Sequence, residues 1–117
     1  MGLVRSVRTD LAPEVVEASR WGPACDMWAA GVTLHFALSG TPPFDRPHAL
    51  MDSVDMKLTR VCACEYDRCA GEAWAGVSVE AKDLVQRLLV VSDGARLSAR
   101  AALTHPWLLA MRGPPRT

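Results

Sequence analysis

Cys25-Asp26-Met27-Trp28-Ala29-Ala30-Gly31-Val32-Thr33-Leu34-His35-Phe36-Ala37-Leu38-Ser39-Gly40 is the stretch on which the fold turns. It predicts a helix over about 25–39, with Asp26 near its positive N-terminal end and Gly40 and Pro42-Pro43 as its stop. Met27, Trp28, Ala30, Val32, Leu34, Phe36, Ala37 and Leu38 cover the whole circumference, so the helix should be buried on all sides. That is a demand for partners, from this chain or from outside it. The charge-free run 28–44 contains His35, Gly40 and two prolines and falls short of the ~20 apolar residues of a membrane span.

On the N-terminal side, Pro13 to about Ala18 reads as a short helix with Pro in its first turn, followed by a loop over 20–24. On the C-terminal side, 48–60 carries Leu50, Met51, Val54 and Leu58 at helical spacing, whereas 61–77 shows no period. Ser78 is a good N-cap for a helix to about Val91, striped by Ala81, Leu84, Val85, Leu88 and Leu89. Ser98 caps a last short helix through Leu103, which Pro106 ends, and Gly113-Pro114-Pro115 reads as a frayed tail. No alternating strand pattern, repeat or low-complexity tract occurs, so the expected class is all-α.

At 117 residues the chain is one domain or part of one, and 50% hydrophobic with 22% charged residues suits a packed core. Thirteen basic and thirteen acidic residues cancel, leaving no basic field for nucleic acid or an anionic membrane. The first residues carry Arg5, Arg8 and Asp10 and no apolar stretch. The expectation is therefore a cytoplasmic or nuclear protein with reduced thiols. Met1-Gly2-Leu3-Val4-Arg5-Ser6 does fit the short N-myristoylation pattern. Cys62, Cys64 and Cys69 with Cys25 or His48 lack the paired Cys-x-x-Cys spacing of common structural zinc sites, so scattered thiols are expected. Glu65, Tyr66, Asp67 and Arg68 around them predict a solvated loop.

Leu11-Ala12-Pro13-Glu14, Asp26-Met27-Trp28 with Gly31, Ser39-Gly40-Thr41-Pro42-Pro43-Phe44, Ser78 to Leu89, and Arg96-Leu97 with His105-Pro106-Trp107 follow one another in order. Together they resemble the helical C-terminal lobe of a eukaryotic serine/threonine protein kinase, in its calcium/calmodulin-dependent branch. The resemblance covers about residues 11–108. It implies an incomplete lobe, with 1–10 the disordered remnant of an activation segment and 109–117 a disordered tail.

By that resemblance Glu14 is the glutamate that pairs with a late arginine, here Arg96, and neither charge should be buried without the other. Asp26 and Trp28 anchor the central helix. Asp26 resembles the aspartate that accepts backbone N–H groups of a catalytic loop, and it suits a helix N-terminus without one. Leu11 would lie near a substrate-side pocket. Trp28, Trp74 and Trp107 read as core and groove fillers. Thr33 and Ala37 stand where the family generally carries bulkier apolar residues. Ser6, Val7 and Asp10 replace the Gly, Thr and Tyr usual before the Ala-Pro-Glu motif.

A working kinase also needs a Gly-rich loop, a strand lysine paired with a glutamate, a His-Arg-Asp loop and an Asp-Phe-Gly metal ligand. None occurs in the 117 residues, whose only lysines are Lys57 and Lys82. ATP and Mg²⁺ are thus expected only in an intact family member, and no catalytic, cofactor or metal residue is assigned. The alternative is a pseudokinase-like interaction module, which would bind a protein or peptide, self-associate, or dock on a missing kinase half.

Overall fold

The computed structural model describes residues 10–46 and 51–111. They form six helices: α1 (Pro13–Ala18), α2 (Pro23–Ser39), α3 (Val54–Ala63), α4 (Val79–Leu88), α5 (Ala99–Leu103) and α6 (Pro106–Met111). A single 3₁₀ turn at Glu72–Trp74 lies between α3 and α4, and there is no strand among the described residues. The fold is all-α. Met1 to Ser6, with the acylation pattern, and His48 lie outside the described residues.

Three helices begin on a serine whose hydroxyl accepts the N–H three residues on: Ser53 from Met56, Ser78 from Ala81 and Ser98 from Ala101, each at 3.1 Å. Each satisfies one orphan donor of a helix start and contributes about 1 kcal/mol. α2 begins at Pro23, two residues before the expected start, because proline has no N–H to lose at a first helical position. It ends at Gly40, whose φ of 83° is left-handed and whose N–H bonds the Phe36 carbonyl at 2.8 Å.

Several boundaries move. The helix expected over 48–60 starts only at Val54, since Asp52 and Ser53 are spent on Arg60 and the cap, and it runs on to Ala63. α4 stops at Leu88, short of Val91, because the Val90 and Val91 carbonyls turn to the Arg96 guanidinium instead of to helix N–H groups. Pro106 does not end a helix; it opens α6, behind His105, whose Nδ1 accepts the Trp107 N–H at 3.1 Å. α6 reaches Met111, so residues 109–111 of the expected tail are helical.

The core is built on α2. Trp28 is fully buried and stacks on Phe44 at 5.4 Å with an interplanar angle of 11°. Gly31 lets α4 come close, since a Cβ there would sit 2.8 Å from Leu88 Cβ. The 61–77 stretch is only partly the solvated loop that its charges predict. Cys64, Tyr66, Cys69 and Trp74 turn inward to the core, and Glu65 and Arg68 face outward. Burial of all sides of α2 does not occur either. Ala30, Thr33, Phe36 and Ala37 are exposed, because no described element packs over that face.

Candidate functional site

Arg96 is the most connected side chain of the molecule's described part. Its Nη1 and Nη2 donate to Glu14 Oε2 and Oε1 at 2.7 and 2.9 Å, a two-pronged pair between α1 and the segment after α4. The remaining donors go to the carbonyls of Ala24, Val90 and Val91 at 2.7, 2.8 and 3.3 Å, with Nε on Val90 at 3.0 Å. The guanidinium also lies 5.1 Å from the Trp28 ring centre, within cation–π range. Side-chain exposure is 0% for Arg96 and 4% for Glu14, so this pair is dry. The Arg96 hydrogen bonds hold the Glu14 carboxyl below the usual carboxylate range, against the opposing effect of burial. The pair joins α1, the start of α2 and the 90–97 turn into one frame.

Leu11, half-buried, precedes α1 and lines a small cleft with Asp10, Trp21, Cys25 and Asp26. At about 20 Å³ the cleft admits roughly one water molecule. Asp26, in the first turn of α2, is exposed beside it and takes no hydrogen bond or ion pair among the described residues. Trp21 is 64% exposed at the rim of the same cleft. It carries no sequence signal of its own, and only the fold brings it there.

The open face of α2 forms one wall of an apolar groove of about 410 Å³. Met27, Thr33, Leu34 and Ala37 of α2, Leu84 and Leu88 of α4, and Trp107 and Leu108 of α6 line it. Among the described residues no charged side chain lines this groove.

Two further polar networks fix the frame. Arg60 of α3 donates to both Asp52 oxygens at 2.8 Å and to the Phe44 carbonyl at 2.8 Å. His35 of α2 meets Asp67, which also accepts the Trp74 indole N–H at 2.9 Å. Sequence reasoning singled out neither. The one available signal was an imidazole inside the charge-free run 28–44, since a buried polar ring requires partners.

The four cysteines are free thiols. Cys64 Sγ donates to the Leu89 carbonyl at 3.1 Å and Cys25 Sγ to the Gly22 carbonyl at 3.0 Å. Burial pushes the Cys62 and Cys64 thiols up, and burial with the Asp67 charge pushes Cys69 up to about 11. No group of three or more His, Cys, Asp or Glu is placed to hold a metal ion among the described residues.

Lys57 Nζ is paired with Asp45 at 2.9 Å, and Lys82 lies on α4. No helix among the described residues is long and apolar enough to cross a membrane.

Together these contacts make a helical frame. A helical frame of that kind, with its Ala-Pro-Glu start and buried Glu14–Arg96 pair, is matched by the protein kinase domain model over residues 7–108. The chain belongs to the protein kinase domain family, and its helices are those of the C-terminal lobe. It is 43% identical over 100 residues to a serine/threonine-protein kinase H1 homolog of Pinctada fucata, covering 86% of this chain and 23% of that protein. To the calcium/calmodulin-dependent protein kinase cmkB of Emericella nidulans it is 36% identical over 98 residues, covering 84% and 23%. The twitchin kinase region from C. elegans superimposes with a TM-score of 0.77 at 32% identity, covering 93% of this chain and 18% of that one. The chain thus spans less than a quarter of the length of each of these relatives.

Proposed function

We propose that residues 11–108 form the substrate-side frame of a serine/threonine protein kinase and that the 117 residues transfer no phosphate by themselves. The observation that carries this is the complete, dry Glu14–Arg96 frame standing beside a sequence with no His-Arg-Asp or Asp-Phe-Gly. Phosphoryl transfer depends on positioning plus stabilisation of charge by Mg²⁺ and lysine, and those groups would come from other residues of an intact kinase. In that setting the exposed Asp26 carboxylate accepts backbone N–H groups of a catalytic loop, and Leu11 borders the peptide-binding side. The proposed location is cytoplasmic, with the nucleus open to it. Calorimetric titration of the purified chain with ATP and MgCl₂ tests the reading. No saturable heat is expected, and a stoichiometric isotherm would refute it.

The apolar groove along α2 favours a second reading, an interaction module that binds a protein partner, a kinase half or another copy through that face. Sedimentation of the purified chain separates the two. A defined dimer supports the module, and a monomer that melts cooperatively removes the need for a partner.

A further inference from the structure

Ala30, Thr33 and Ala37 lie on the exposed side of α2, and Phe36 beside them is 53% exposed. Their steps of three and four residues trace the narrow seam of a helix paired with another helix, not the broad stripe of one laid on a domain core. Side chains as small as alanine and threonine let a second helix axis come near. The groove of about 410 Å³ opens along the same seam, walled on its other sides by α4 and α6.

The chemistry of this face selects its occupant. Among the described residues its lining carries no charge, and side-chain hydrogen-bonding groups occur only at Thr33 and the Trp107 indole. An extended segment would therefore bury peptide N–H and C=O groups without partners. A helix brings its backbone already paired. Where α4 meets the start of α6, the Asp83 carboxylate is taken at 2.8 Å by both Arg87 and His105, so a basic helix finds no free acid there. The fitting occupant is a helix with a small, uncharged, apolar seam. α2 is such a helix, and with thirteen basic and thirteen acidic residues two copies of the chain do not repel as wholes.

We infer that two copies of this chain pair through this face, their α2 helices antiparallel about a two-fold axis at Thr33. The inference rests on the reading of the chain as an interaction module and names the partner. A two-fold axis there is self-complementary: Phe36 of each copy comes over Ala30 of the other, large against small, and Thr33 meets its own copy. Asp26, the one charge on the exposed side of α2, then falls opposite Gly40, beyond the seam.

Sedimentation equilibrium of the 117-residue chain and of Thr33→Glu tests the pairing, with anilinonaphthalene sulfonate as the probe of uncovered apolar surface. Thr33 is exposed in the single chain, so the substitution spares the fold. The expected result is twice 12.7 kDa for the parent, with pairing weakened about tenfold or more and dye binding gained in Thr33→Glu. A parent dimer that Thr33→Glu leaves intact uses another face and overturns the inference. A parent monomer also overturns it: with bound dye the face is open and the module reading survives, and without dye that reading fails too. As a second readout, mild oxidation should join Thr33→Cys chains covalently. Glu72→Cys, on the turn that packs against the opposite, His35, side of α2, should stay single. Equal joining of the two would overturn the pairing about Thr33.

Discussion

Replacing Arg96 by methionine keeps much of the side-chain length while deleting every donor of the hub. Glu14 would keep its charge with 4% side-chain exposure, and the Val90 carbonyl, which accepts from both Nε and Nη2, would lose both bonds. Stranding one member of a buried ion pair costs about 3–5 kcal/mol, and that is a large fraction of the ~5–15 kcal/mol that hold a domain together. Glu14→Gln should cost less, about 1–3 kcal/mol, because the guanidinium keeps its bonds to Ala24, Val90 and Val91. The assay is urea denaturation followed by far-ultraviolet circular dichroism for the parent, both single variants and the double variant. The double variant should cost less than the sum of the singles, since the second change removes the charge that the first one stranded. The pH dependence carries the same sign. The folded state depresses the Glu14 pKa, so its contribution is full above the ordinary carboxylate range of about 4 and fades as pH falls through and below it. Glu14→Gln should therefore flatten the acid limb of the stability curve. An Arg96→Met loss below about 1 kcal/mol would refute the claim that this pair is the frame's lock.

Gly31→Ala places a methyl 2.8 Å from Leu88 Cβ and 3.0 Å from Leu89 Cδ2. Overpacking of about 1–3 kcal/mol outweighs the roughly 1 kcal/mol gained in helix propensity, so the urea midpoint should fall; a rise would show that α2 and α4 separate freely. Cys62, Cys64 and Cys69 are protonated at neutral pH, so iodoacetamide should modify them slowly. Of the three, half-buried Cys62 should react first, and Cys64 and Cys69 only after unfolding in urea; mass spectrometry of timed quenches would expose the opposite order.

Much of the fold was legible because its signals are local. Pro13 starts α1, Ser78 starts α4 and Gly40 stops α2, each by a backbone requirement written at one position. Glu14 and Arg96 were readable as a pair only through the family resemblance, since 82 residues of sequence separate them. The start of α3 was misplaced because Leu50 and Met51 continue the apolar period of Val54 and Leu58, while the deciding interactions are the Ser53 cap and the reach of Arg60 back to Asp52. The buried loop was hidden for a related reason. Cys64, Tyr66, Cys69 and Trp74 follow neither a helix nor a strand period, and the two aromatic rings among them pack on a histidine of another element. The open face of α2 is the reverse case. Its residues are apolar enough to be covered, but what would cover them is not encoded in their own spacing.

The central claim is that this chain holds a kinase frame without the kinase chemistry. Single-turnover incubation of the purified 117 residues with γ-labelled ATP, MgCl₂ and a serine-containing basic peptide tests it most directly. The account predicts peptide labelling no faster than in the enzyme-free control. Labelling above that control, retained after repurification to homogeneity, would contradict it.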